Sequence, residues 1–336
     1  MKHSNISIFI PHNGCPNKCS FCNQHTISGA QKSPTADEVF QICQKALAEI
    51  RSPENAEIAF FGGSFTAIPR DYMLELLETA VQFVGKGKFH GIRISTRPDC
   101  IDGQVLEILK HYNVTSIELG SQSMNDDVLR LNDRGHTAED VFRASRLIRE
   151  YGFELGLQMM VGLYGSTGAN EIETVSDIIE IRPDTVRIYP VVILKNTRLA
   201  ELLESGEYKP LEFNEVLEIC SAALELFEGV GIKVIKCGLH ASEFVEKDMV
   251  GGFYHPAFRE LCESLIYRQK TEEFIKYHKP ENNIYKVAVN PSCISKAVGH
   301  KRSNTEYFSK CGFEVKFVGD SSIPVCEVGE VKRFVP

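Results

Sequence analysis

The sequence predicts an α/β fold, a partial and open (β/α)6 barrel followed by a smaller C-terminal α/β module. Three observations predict it. Short β-rich runs alternate with helical stretches through residue 237, a Gly-Gly-Phe-Tyr-His-Pro run (251–256) then breaks the pattern, and a strand–helix–strand outline of another kind follows. Domains are therefore expected at 1–237 and 238–336. The first run, NISIFI (5–10), is β-branched and aromatic and stops at Pro11. A helix starts behind Thr35, with Glu38 three residues on completing a capping box. AEIAFFG (56–62) is the second strand, and a helix follows Pro69. GIRIST (91–96) is the third, with Asp102 placed to cap the next helix. TSIELG (115–120) is the fourth, and Thr137 is the N-cap candidate behind it. FELGLQMMVG (153–162) and DTVRIYPVV (184–192) are the fifth and sixth. The helix LEFNEVLEICSAALELFEGV leads into a last run, IKVIKC (232–237). Strands separated by helices imply βαβ units and a parallel sheet, and six such units fall short of the eight that close a barrel. The tail reads as a helix over about 257–276, a strand IYKVAVN (284–290), a helix, and a strand FEVKFVG (313–319).

The 336 residues are 43% hydrophobic and 24% charged, enough for a large buried core. The net charge of −8 argues against a basic coat for nucleic acid. That charge is uneven: the first 240 residues carry −9 and the remainder +1, so a polyanion is more welcome at the tail. No stretch reaches the roughly 20 apolar residues of a membrane span, and the N-terminus has too short an apolar run for a signal peptide. A soluble cytoplasmic protein is expected. The eleven cysteines fit that compartment, where thiols stay reduced and clustered ones bind metal. Eight are scattered and read as small packing residues.

The other three, Cys15, Cys19 and Cys22, form a C-x3-C-x2-C cluster in the loop after the first strand. Three thiolates can hold three irons of a [4Fe–4S] cluster and leave the fourth open to another ligand. The spacing alone also admits a zinc site of three Cys and one His, with His25 or His12 as the fourth ligand.

The loop GCPNKCSFCNQ (14–24) resembles the cluster-binding loop of radical S-adenosylmethionine (radical SAM) enzymes, which carry an aromatic residue at the position of Phe21. Longer stretches resemble one subgroup, the radical SAM domain of the elongator catalytic subunit Elp3. They are FGGSFT (61–66), STRPD (95–99), ELGSQS (118–123), LRLNDRGHT (129–137), MMVGLYGST (159–167), RIYPVV (187–192) and SGEYKP (205–210). The resemblance spans residues 5–237. Each motif lies at or just past the C-terminal end of an expected strand, or on the helix behind it, the rim where barrel enzymes bind ligands.

The resemblance implies a fold of the radical SAM type and two cofactors, a [4Fe–4S] cluster on Cys15, Cys19 and Cys22, and S-adenosylmethionine. It places Gly62, Gly63 and Ser64 against the amino group of SAM through backbone carbonyls. Gln122 and Arg134 fall near its carboxylate and ribose, and Phe21 supports the adenine. Ser95 stands where relatives often carry Glu, and Gln158 where some carry Asp or His; both are expected to face SAM. The implied reaction is reductive cleavage of SAM to a 5′-deoxyadenosyl radical that abstracts hydrogen from substrate, fed by an external low-potential electron donor.

Elp3 itself adds an acetyltransferase domain and acts on tRNA. No Arg/Gln-x-x-Gly-x-Gly/Ala signature for acetyl-CoA follows the core here, so that step is not expected. Residues 284–319 instead weakly resemble a KH nucleic-acid module. Gly299-His-Lys-Arg-Ser-Asn304 stands at its Gly-x-x-Gly loop, with Arg302 in place of the second glycine. Lys301 and Arg302 could meet phosphate; alternatively, the segment only covers the open barrel edge. Tyr254 or His255 could overhang the substrate, and Cys237 could donate hydrogen, although a structural turn and a buried packing thiol are the preferred readings. Three functions remain in view. They are tRNA modification, radical chemistry on a small molecule in the manner of coproporphyrinogen dehydrogenase, and a non-catalytic cluster- and SAM-binding sensor.

Overall fold

Strand and helix boundaries follow local chemistry closely. The computed structural model describes residues 4–11, 13–15, 18–30, 32–239, 242–278 and 283–331. Strand β1 (Ser4–Ile10) leads through the cysteine loop to a short helix α1 (Gln24–Ser28) and then α2 (Ala36–Glu49). Thr35 and Glu38 form the expected capping box on α2. Strand β2 (Ala56–Gly62), helix α3 (Arg70–Val81), strand β3 (Gly91–Thr96) and helix α4 (Gly103–His111) follow, with Asp102 capping α4 through Val105 N–H at 2.8 Å. Next come β4 (Val114–Gln122), α5 (Asp126–Leu131), α6 (Ala138–Glu150), β5 (Glu154–Val161) and α7 (Gly168–Ile181). Thr137 caps α6 in a capping box with Asp140.

The sixth expected strand divides. Strand β6 (Thr185–Pro190) ends at a proline, which has no N–H to continue the ladder. The chain then turns into β7 (Val192–Leu194), followed by α8 (Arg198–Ser205), α9 (Phe213–Gly229) and β8 (Lys233–Cys237). After α10 (Glu243–Asp248), strand β9 (Met249–Gly252) pairs antiparallel with β7. The run 251–256 is thus partly strand, folded back over the end of the barrel.

Seven parallel strands form one sheet in the order β1-β2-β3-β4-β5-β6-β8, and β1 and β8 are its two edges. This is the open half-barrel that the resemblance implies. Alternate residues divide its faces. The convex face is apolar: Ile58, Phe60, Ile92, Ile94, Ile117, Leu119, Leu155, Leu157, Val186 and Ile188 are buried in one core with the helices. Each such side chain contributes about 2 kcal/mol of burial. The concave face carries Glu57, Arg93, Ser95, Glu118, Gln158 and Arg187 instead. Polar residues on the inner face mark a lumen built to meet something other than a hydrophobic layer.

The long helix α11 (Phe258–Tyr277) serves two cores. Phe258, Cys262 and Ile266 join the barrel core, and Tyr267 and Ile275 join a second one. That second core belongs to β10 (Ile284–Val289), α12 (Ile294–Val298), α13 (Ser303–Lys310), β11 (Glu314–Gly319) and β12 (Val328–Glu330). Here β10 and β11 run parallel, and β12 lies antiparallel on the other side of β10.

Candidate functional site

The loop behind β1 is pinned to the loop behind β2 by backbone too close for side chains. Gly63 N–H donates to Ile10 O at 2.9 Å, and Ser64 N–H to Asn13 O at 3.2 Å. A Cβ on Gly63 would lie 1.9 Å from Asn13 O, and one on Gly14 would lie 2.3 Å from Ser64 O. The Gly-Gly pair thus has a packing reason as well as any ligand role. Gly62 O accepts from Gln24 Nε2 at 2.6 Å.

The far side of the cysteine loop is stitched down at Ser20. Ser20 Oγ donates to Asn132 Oδ1 at 2.7 Å, and Leu199 N–H donates to Ser20 O at 2.8 Å. Asn132 is itself fully buried and donates to Val128 O and Tyr164 O. Asn132 and Leu199 thereby fix the loop that carries Cys19 and Cys22, and Val128 and Tyr164 hold Asn132 in turn.

Around that loop lies a cleft at the C-terminal ends of the strands, about 600 Å³ including its open mouth. Cys15, Cys19, Phe21, Cys22, Gly62, Gly63, Ser64, Ser95, Gln122, Arg134 and Gln158 all line it. The structure therefore brings every residue singled out for cluster and SAM into one place. Among the described residues, no three His, Cys, Asp or Glu side chains are grouped to hold a single metal ion. His25 turns its Nδ1 to Ala30 O at 2.9 Å, and His12 lies outside the described residues.

Burial dominates the electrostatics. It pushes the Cys22 thiol up to about 12, with Cys19 and Cys15 adding to the rise. Cys15 is raised for the same reasons. Such thiols are protonated until a metal displaces the protons. Arg134 approaches Cys19 with Nη1 3.0 Å from Sγ, and its Nη2 donates to Gly120 O at 2.6 Å. His136 Nε2 donates to Ser121 O at 3.2 Å. Burial, then Arg134 and Arg97, hold its pKa down to about 4, so it adds no charge.

Several polar atoms at the mouth are shut off from solvent without any partner: Ser95 Oγ, Arg97 Nη1, Gln122 Oε1 and Arg134 Nε. Unpaired buried polar groups cost about 1–3 kcal/mol each unless a ligand satisfies them. A register shift in β4 between Leu119 and Gln122 aims Gln122 inward, and Gln122 sits at φ +66, unusual for a residue other than glycine.

Beneath the mouth, the charges are matched. Arg93 meets Glu57 at 2.7 Å, Glu118 at 3.2 Å and Glu154 at 2.8 Å. Arg187 grips Glu118 with both Nε and Nη2 at 2.8 Å, and Gln158 Nε2 donates to Glu118 at 2.8 Å. Burial opposes the Glu118 charge, yet Arg187 and Arg93 keep its carboxyl below the usual range. Gln158 is thus held from below.

Sequence reasoning passed over Arg97, Gln24, Glu118, Arg93 and Arg187. Arg97 lay inside the quoted STRPD motif and Glu118 inside ELGSQS. A charge in mid-strand was the available signal for Glu57, Arg93, Glu118 and Arg187. Tyr254 and His255 do not line the cleft: Tyr254 Oη accepts from Ser242 N–H at 2.9 Å, and the His255 ring stands 5.5 Å from that of His300. Cys237 is buried with its sulfur 3.9 Å from that of Cys262, a packing position. Phe21 packs on a small cluster with Val128, Leu163 and Val191.

The model of the Radical SAM superfamily matches residues 9–178, half of the chain, and that of the Radical_SAM C-terminal domain matches 183–268. The chain belongs to the radical SAM superfamily. As a radical SAM protein it is an enzyme, and its cofactors are S-adenosylmethionine and a [4Fe–4S] cluster. Among its relatives, an uncharacterized protein of Methanocaldococcus jannaschii, MJ0486, is 27% identical over 222 residues, 65% of either chain. A tRNA uridine(34) acetyltransferase of the same organism is 36% identical over 134 residues, 39% of this chain and 25% of that one. Human elongator complex protein 3 is 30% identical over 195 residues, 52% of this chain and 36% of that one. The chain thus spans from a quarter to about two thirds of the length of these relatives. The solved Elp3 of Methanocaldococcus infernus, with residues 1–46 deleted, shares the fold at a TM-score of 0.63. It is 20% identical, and the match covers 79% of this chain and 63% of that one.

The residues present fit these cofactors. Three thiols face a cleft whose remaining wall offers unpaired donors and acceptors for a polar ligand.

Proposed function

We propose that this radical SAM chain modifies RNA, with tRNA as its substrate class. The observation that carries the radical step is the set of unpaired polar atoms facing the three cysteines in one cleft. When bound, the cluster and SAM supply one-electron cleavage of a sulfonium carbon–sulfur bond and, from it, hydrogen abstraction. In this reading Cys15, Cys19 and Cys22 hold three irons. Arg134 orients the Cys19 thiolate through its hydrogen bond and turns Nε to the ligand. Arg97, clamped by Asp99 through Nε and Nη2 at 2.9 and 2.8 Å, presents Nη1 as a fixed positive charge for the SAM carboxylate. Gln122 offers Oε1, and Ser95 and Gln158 face the ribose. Gly62, Gly63 and Ser64 offer backbone carbonyls to the amino group, and Phe21 braces the adenine side. Residues 1–237 form the radical core and 238–336 a substrate-facing module. An external low-potential donor supplies the electron, and the reducing cytoplasm, where all eleven thiols remain free, is the compartment.

The tRNA reading is supported by the relatives named for tRNA uridine(34) acetylation and elongator function, which match parts of this chain. The test is anaerobic. The protein is reconstituted with iron and sulfide, given SAM and dithionite, and 5′-deoxyadenosine is quantified beside a Cys22→Ala control. Deoxyadenosine from the wild type alone is expected. Stoichiometric zinc with no iron uptake would overturn the reading.

A further inference from the structure

The tail offers a polyanion a place that the body denies it. The first 240 residues carry −9, whereas residues 241–336 carry +1. Within the tail, β10, α12, α13 and β11 form a strand–helix–helix–strand unit with parallel strands, and Lys301 and Arg302 between its helices are exposed. Two successive residues of that loop lie in the left-handed region, Lys301 at φ +51 and Arg302 at φ +67, after Gly299 at φ +88. A Cβ on Gly299 would lie 2.6 Å from Asn304 N, so the loop closes only with glycine there.

The root of the loop is nailed down while its tip is free. Asn304 is buried and donates to Ser264 O at 2.7 Å and Ala297 O at 3.0 Å; His300 N–H donates to Ser264 Oγ. Lys301, Arg302 and Ser303 are exposed. Neither Lys301 nor Arg302 has a carboxylate partner among the described residues, whereas the nearby acid Glu263 is spent on Arg259 and Lys296. Glu260 faces His300 at 3.6 Å. Two cations held rigidly outward without counter-charge are suited to phosphate.

The loop also stands beside the barrel. Ser264 is six residues along α11 from Phe258, about 9 Å, and Phe258 packs against Gly238 at the end of β8. Between them runs a groove of about 1050 Å³, open to solvent, lined by Lys236 and Cys237 of β8, Arg259 and Glu263 of α11, and Ser295 and Lys296 of α12. It borders the open edge of the half-barrel, since β8 is the last strand.

We propose that the loop Gly299–Ser303 grips the phosphodiester backbone of a single-stranded RNA segment, and that the groove beside β8 leads that strand to the barrel mouth. This rests on the RNA part of the function proposed above. The test is fluorescence anisotropy with a labelled single strand of about twelve nucleotides and a duplex of the same length, titrated between about 50 and 200 mM salt. The proteins are the wild type, Lys301→Glu/Arg302→Glu and Lys296→Ala, each checked by thermal melting. The wild type is expected to prefer the single strand. The double variant should bind it at least about tenfold more weakly, with the salt slope reduced by about two, and Lys296→Ala a few-fold more weakly. SAM cleavage without RNA should be unchanged in both.

Equal affinity of wild type and double variant, or preference for the duplex, overturns the proposal but leaves the RNA-substrate reading in place. No RNA binding by a wild type that cleaves SAM overturns the proposal and the RNA reading together, leaving the radical step. Failure to cleave SAM alongside intact, loop-dependent RNA binding overturns the radical reading and upholds the loop.

Discussion

The mouth of the half-barrel and the floor beneath it use polar residues in opposite ways. At the mouth, Ser95, Arg97, Gln122 and Arg134 each keep a buried polar atom without a partner. One layer down, the Glu57, Arg93, Glu118 and Arg187 charges are matched by ion pairs. The floor is complete without a ligand and the mouth is not. That difference teaches where binding free energy can be gained: a polar ligand removes an existing penalty at the mouth, whereas the floor supplies rigidity that keeps the mouth in shape.

The floor is the place for the largest effect. Glu118→Ala would leave Arg93 and Arg187 buried with fewer counter-charges, and loss of one partner in such a network costs about 3–5 kcal/mol. We expect a loss of that order in chemical denaturation; a midpoint near that of the wild type would show that the floor is wetter than its burial implies.

The pH dependence separates two further groups, each worth about 3 kcal/mol. Burial raises Glu171 from 4.5 to about 7, against hydrogen bonds from Ser166 Oγ and from Gly162 N–H at 2.8 Å. Its protonated form is favoured in the fold, so its stability is complete below pH 4.5 and is lost as pH rises through 7. His136 is lowered from 6.5 to about 4, so its stability is complete above 6.5 and is lost as pH falls toward 4. The two windows overlap between pH 4.5 and 6.5, where the opposite slopes nearly cancel, so wild-type stability should be almost level there. In Glu171→Gln that cancellation is lost, and stability should fall steadily as pH drops from 6.5 toward 4, as read by urea midpoints.

Changes at the mouth should leave stability alone and weaken SAM. Arg97→Gln removes the charge facing the cleft, and about a tenfold loss of SAM affinity is expected, near 1.4 kcal/mol. Equilibrium dialysis on the cluster-loaded protein measures it, with the melting temperature as control. A large drop in that temperature with unchanged SAM affinity would place Arg97 in the floor rather than the mouth. The smallest effect belongs to Gln158→Ala, which spans the two layers. A two- to threefold loss of SAM affinity, with Arg187 still paired to Glu118, is the expected result.

Much was legible in the sequence because it is local. Strands and helices follow from side-chain periodicity, and Thr35, Asp102 and Thr137 cap the helices where their spacing to Glu38, Val105 and Asp140 requires. The cysteine loop is likewise a run of eight residues, so its chemistry is written in its spacing. The long motifs named the residues of the cleft, although not what each touches.

What the tertiary structure alone decided involves partners far apart in the chain. Arg187 and Glu118 are 69 residues apart, and Ser20 and Asn132 are 112 apart; no local pattern pairs them. Only strand register puts Gln158 over Glu118, and only the irregularity in β4 turns Gln122 inward. The division of the sixth run at Pro190 was decided in the same way, because β9 begins 55 residues after β7 ends and only then pairs with it. A sequence sets which groups a chain owns and which way each strand can alternate. Which buried charge meets which partner depends on closing the sheet, and that is a property of the whole fold.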